Sequence, residues 1–69
     1  MYYIYTSEGC ARCETQKEKW RKEGVEFIER DAERLNGGNH ADQIDVDGFV
    51  ELCSNNMVLP AIVYREDVL

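Results

Sequence analysis

One α/β domain, built as β-α-β-α-β across residues 1–69, is what this chain predicts. Three observations carry that reading. Short runs of aromatic and branched residues stand at Tyr2–Tyr5, Val25–Arg30 and Ala61–Tyr64. A helix-forming stretch free of Gly and Pro, Cys10–Glu23, separates the first two. A second amphipathic stretch precedes the third.

Tyr2-Tyr3-Ile4-Tyr5 is apolar or aromatic on both faces, which suits a central strand covered on both sides. Thr6-Ser7-Glu8-Gly9 breaks the pattern as a loop. The helix after it has a thin apolar stripe of Ala11, Cys13 and Trp20, with Trp20 read as packed beneath it. Gly24 is its C′ stop, and Arg21 and Lys22 face the negative end of its dipole. A strand, a helix and a strand in this order make a right-handed crossover, so the first two strands should be parallel. Asp31 to Asp42 reads as a helical turn and a mobile loop, with a turn forced at Asn36-Gly37-Gly38-Asn39. Asp45 or Asp47 can cap the next helix, which runs to about Asn55. Phe49, Leu52, Cys53 and Asn56/Met57 supply its stripe, widened by Val50, and Cys53 is read as a small buried hydrophobe there. Leu59-Pro60 interrupts before the third strand. Val68-Leu69 has the composition of a fourth strand's beginning.

Eight Lys and Arg against 14 Asp and Glu give a net charge of −6, which argues against nucleic acid as a partner. No apolar run approaches the ~20 residues of a membrane span, and no leader pattern opens the sequence, so a cytoplasmic protein is expected. A chain this short buries only about 60% of its unfolded surface, so help from a disulfide or a second copy is expected.

Three cysteines do not make a disulfide scaffold. Cys10-Ala11-Arg12-Cys13 falls where the first strand hands over to the first helix. There the free N–H groups and the dipole stabilise a thiolate at Cys10, and Cys13 can reach it from one turn on. Cys10 would attack a disulfide, and Cys13 would resolve the mixed disulfide. Arg12 and Lys17 add positive charge nearby, opposed by Glu8 and Glu14. The rival is half a metal site, for zinc or for an iron–sulfur cluster shared between chains, with Cys53 and His40 the only further candidates. A non-catalytic interaction module is the third reading. Asp45-x-Asp47-Gly48 fails as a calcium loop, because Gln43 and Ser54 occupy positions one and twelve.

Cys10–Cys13 followed by Met57-Val58-Leu59-Pro60 before the strand Ala61–Tyr64 resembles the thioredoxin fold, and specifically the small glutaredoxin-like proteins. The likeness runs over roughly residues 1 to 66. It implies strand order 2-1-3 with the third strand antiparallel, a cis Leu59–Pro60 bond facing the dithiol, and Leu59 offering its backbone to a substrate chain. Leu59 and Pro60 are substrate-binding residues on that basis, and Arg12 is grouped with them. The resemblance implies a dithiol oxidoreductase acting on protein disulfides, with a reducing partner protein and no cofactor. The family's final strand and helix have no counterpart here, which leaves one sheet face under-covered and predicts a weak homodimer. The Lys before the motif and the Gly-Gly motif that hold glutathione are also absent, so glutathione is not implied as reductant.

Overall fold

The computed structural model describes residues 1–38 and 42–66. Strand β1, Tyr2–Thr6, is central: Tyr3, Ile4, Tyr5 and Thr6 are all buried, as a strand with both faces covered requires. Helix α1, Ala11–Glu23, follows with Cys10 as its N-cap. Gly24 at φ 74° closes it: the Gly24 N–H donates to Arg21 O and the Val25 N–H to Trp20 O, the Schellman arrangement. That closure uses Val25, so β2 spans Phe27–Asp31 and starts two residues later than the sequence pattern implied.

The polar stretch after β2 is a 3₁₀ helix, Ala32–Gly38. It opens on the Asp31 carboxylate, which accepts the Glu33 N–H at 2.9 Å. His40 and the rest of the expected loop up to Ala41 lie outside the described residues, as does the Val68–Leu69 strand start. Helix α2 spans Gln43–Ser54, and its cap is Asp42 rather than Asp45 or Asp47. The Asp42 carboxylate accepts the Asp45 N–H at 2.9 Å. Asp47 sits inside the helix instead and pairs with Arg65 at 2.9 Å. At the far end Asn56 and Met57 adopt positive φ, 56° and 61°, and the Met57 N–H returns to Leu52 O at 2.8 Å. The Leu59–Pro60 bond is cis, and β3 spans Ala61–Tyr64.

The sheet order is β2-β1-β3, with β1 and β2 parallel and β1 and β3 antiparallel. Strand alternation separates two faces. Tyr3, Tyr5, Ala61 and Val63 face Leu35 of the 3₁₀ helix and Leu52 of α2 to form the main core. Tyr2 faces α1, where Trp20 stacks on it at 5.0 Å and on Phe27 at 5.2 Å. The buried line of α1 runs Cys13, Lys17, Trp20; Ala11, expected in it, is exposed.

Two residues turn α2 away from the stripe its sequence suggests. Asp45 and Gly48 are buried with Leu52, and Gly48 lies under the Tyr5 ring, where an added Cβ would come within 2.7 Å of Cε1. With the face centred on 45, 48 and 52, Cys53 falls about 100° further round and is exposed, contrary to its reading as a buried hydrophobe. No helix among the described residues is long and apolar enough to cross a membrane.

Candidate functional site: a dithiol at a helix start

Gly9, at φ 78°, turns the chain from β1 toward α1, and the Cys10 N–H donates to Ser7 O at 3.3 Å. This turn leaves Cys10 extended at φ −83°, ψ 100°, the N-cap conformation, with Sγ over the first turn. The Cys13 N–H donates to that Sγ at 3.1 Å. A sulfur here therefore holds the position a capping oxygen would, and a thiolate would gain both the bond and the positive end of the dipole. Cys10 and Cys13 are joined as a disulfide with Cα atoms 5.2 Å apart. Cys10 is partly exposed and Cys13 has no accessible surface, so an incoming disulfide meets Cys10 first.

Arg12, between the two cysteines, is exposed. Lys17, read from the sequence as added positive charge opposed by Glu8 and Glu14, is buried and paired with Glu14 at 2.9 Å and also with Glu29 at 2.8 Å. Glu29 also accepts from the Thr6 hydroxyl at 2.6 Å. The Glu29 and Glu14 bonds raise the Lys17 pKa, and the Lys17 and Thr6 bonds lower that of Glu29.

Leu59 and Pro60 are adjacent in sequence but border different hollows. Leu59 lines a groove of about 280 Å³ with Ser7, Ala32, Glu33, Leu52 and Met57. Ser7 is the residue whose carbonyl holds the Cys10 N–H, so this groove runs up to the dithiol turn. Pro60 borders a separate hollow with Glu51, Ser54, Asn55, Ala61 and Ile62. The structure thus joins Cys10 and Cys13 with Arg12 exposed between them, while Leu59 and Pro60 border hollows whose linings include neither cysteine. Among the described residues, no three His, Cys, Asp or Glu side chains form a group that could hold a metal ion.

The sequence reading missed a second polar cluster. Asp45 has no accessible surface and accepts from the Tyr5 hydroxyl at 2.5 Å, from Arg30 at 3.0 Å and from Arg34 Nε at 3.1 Å. Burial, then the Asp45 carboxylate, push the Tyr5 hydroxyl far above its usual range. Burial opposes the charge on Arg30, but bonds to Asp42, Tyr5 and Asp45 outweigh it and keep the guanidinium ionised. The signal available was Asp42-x-x-Asp45, an acid at the cap and another three residues on, which places Asp45 in the helix's first turn. The corresponding signal for Lys17 was its place at i+4 from Cys13 and i−3 from Trp20.

No family profile, curated protein or solved structure matches this chain.

Proposed function

We propose that this protein is a thiol–disulfide oxidoreductase of the thioredoxin-like, glutaredoxin-like kind, acting on protein disulfides. The observation that carries the reading is Cys10 Sγ at the N-cap of α1, accepting the Cys13 N–H with Cys13 in bonding reach behind it. The 2-1-3 sheet, with its third strand antiparallel, supports the resemblance.

In the reduced protein the Cys10 thiolate attacks one sulfur of a partner's disulfide, and the other sulfur leaves as a thiolate. Cys13 then loses its proton to solvent and attacks Cys10 Sγ. The Cys10–Cys13 bond forms, the mixed disulfide breaks, and the partner leaves with two electrons gained. A second protein dithiol runs the sequence backwards to restore the reduced state. The groove from Ser7 to Leu59 is where the substrate chain would lie, with the Leu59 backbone as its hydrogen-bonding edge. Arg12 would border the approach.

The test is reduction of a protein disulfide, insulin serving as probe, by the reduced chain. Wild type should reduce it, Cys10→Ser should not, and Cys13→Ser should accumulate a mixed disulfide. If Cys13 alkylates faster than Cys10, the two roles are reversed. Stoichiometric zinc with slow alkylation of both thiols would replace this reading by the metal-binding one.

A further inference from the structure

The second step of exchange has a requirement that the helix start does not meet. Cys10 caps the first turn from outside the helix, but Cys13, the third residue of α1, has no accessible surface. Burial disfavours a thiolate, so an unassisted Cys13 would ionise late. The charged residue buried in the same line of α1 as Cys13 is Lys17. The two residues are four apart on one face, roughly 5–6 Å between Cβ atoms, and helical side chains lean back toward the N-terminus. The Lys17 bond to Glu14, one residue past Cys13, shows that lean.

We propose that Lys17 is a positioning residue for the second step: its ammonium ion, shared between Glu14 and Glu29, sets how readily the Cys13 thiol ionises. This rests on the dithiol reading above. The charged and titratable groups on this side are Arg12, Glu14, Lys17 and Arg21 of α1, with Glu29 and Asp31 of β2, and Glu8 in the preceding loop. β1 adds the Thr6 hydroxyl, and the Tyr2 and Tyr64 rings of β1 and β3 stack together beside Trp20. Of the cations in this set, Lys17 is buried in the same line as Cys13. Glu29 draws its charge away from the thiol and Lys17 opposes both carboxylates. Deleting either partner breaks the same ion pair, yet the two deletions act on Cys13 with opposite sign.

The test uses the full reduced chain carrying Cys53→Ser, because Cys53 is an exposed free thiol. Mixed with 5,5′-dithiobis(2-nitrobenzoate), Cys10 releases one thiolate in a concentration-dependent burst. Attack by Cys13 then releases the second at a concentration-independent rate, and the pH midpoint of that rate reports Cys13. Lys17→Met should raise the midpoint by about one unit, within the range for loss of a neighbouring opposite charge. The thiolate fraction near pH 7 falls about tenfold, and its greater nucleophilicity returns about threefold, so the second burst slows about three- to fourfold. Lys17→Arg should restore the wild-type midpoint, and Glu29→Gln should lower it. Shifts in the same direction for Lys17→Met and Glu29→Gln, or none, overturn the proposal, since a purely structural pair behaves that way. Should Lys17→Met not fold, a midpoint for Glu29→Gln that stays or rises overturns it alone. The small disulfide probe reads Cys13 even where no protein disulfide is reduced, so failure of this inference and failure of the functional reading are separate results.

Discussion

On the sheet face covered by α2, the buried Asp45 carboxylate is ringed by Tyr5, Arg30 and Arg34; on the face covered by α1, the buried Lys17 ammonium is held by Glu14 and Glu29. Each cluster centres on one charge removed from water. They differ in what surrounds that charge. Asp45 is fully enclosed and gathers donors from β1, β2 and the 3₁₀ helix, above a core of Tyr3, Leu35, Leu52, Ala61 and Val63. The partners of Lys17 are open to solvent, with the Glu14 side chain 69% and the Glu29 side chain 43% exposed. Water screens the second cluster more than the first, where Asp45 itself is enclosed and only its arginines, Arg30 at 19% and Arg34 at 42% side-chain exposure, reach solvent. The Asp45 cluster is therefore a fastening between elements. The Lys17 cluster contributes little to stability and leaves a tunable charge beside the dithiol.

That contrast breaks if variants on the α1 face unfold the protein or variants on the α2 face stop exchange. The largest expected effect is complete loss of protein-disulfide reduction in Cys10→Ser, with the urea midpoint of the reduced protein changed little. Next is Asp45→Ala, expected to lose roughly 3 kcal/mol in urea unfolding, the low end for breaking a buried pair because both arginines keep a route to water. Its folded fraction should still exchange disulfides. Gly48→Ala should lose about 2 kcal/mol, because the new methyl meets the enclosed Tyr5 ring at 2.7 Å and one or the other must move. Smallest is the acid limb of stability on the α1 face. The folded-state pKa of Glu29 lies below its ordinary 4.5, so the unfolded chain binds the proton first. The stability from this pair is present above that value and lost as pH falls through the folded pKa. Solvent screening keeps it under about 1 kcal/mol, and Glu29→Gln should flatten that limb in acid titrations followed by circular dichroism.

Where the chain's pattern is carried by apolar or helix-ending residues, it is legible. Tyr2–Tyr5, Gly24, Trp20 and Ala61–Tyr64 all stand as their chemistry indicates. The dithiol was legible too, since the spacing of Cys10 and Cys13 and their place before a helix both lie in sequence order. Hidden were the features in which a charge or a glycine fills an inward position. Hydrophobic spacing cannot register Asp45 and Gly48 as the centre of a buried face, and so it rotated α2 and put Cys53 inside. Lys17 escaped for the same reason: a lysine is taken as solvated unless its partners, fifteen residues of chain apart from Glu14 to Glu29, are known to converge.

The outer strands present their open sides very differently. β2 carries Glu29, Arg30 and Asp31 along its length, charges that discourage another strand from docking. β3, Ala61-Ile62-Val63-Tyr64, has none. Among the described residues each of these strands pairs on one side only, with β1. A molecule with one receptive edge cannot polymerise through it. Two copies meeting β3 to β3 about a two-fold axis would make a continuous sheet in the order 2-1-3-3-1-2, bounded at both ends by the charged β2. Self-pairing by this route closes at two copies: sedimentation at rising concentration should move from one copy to two.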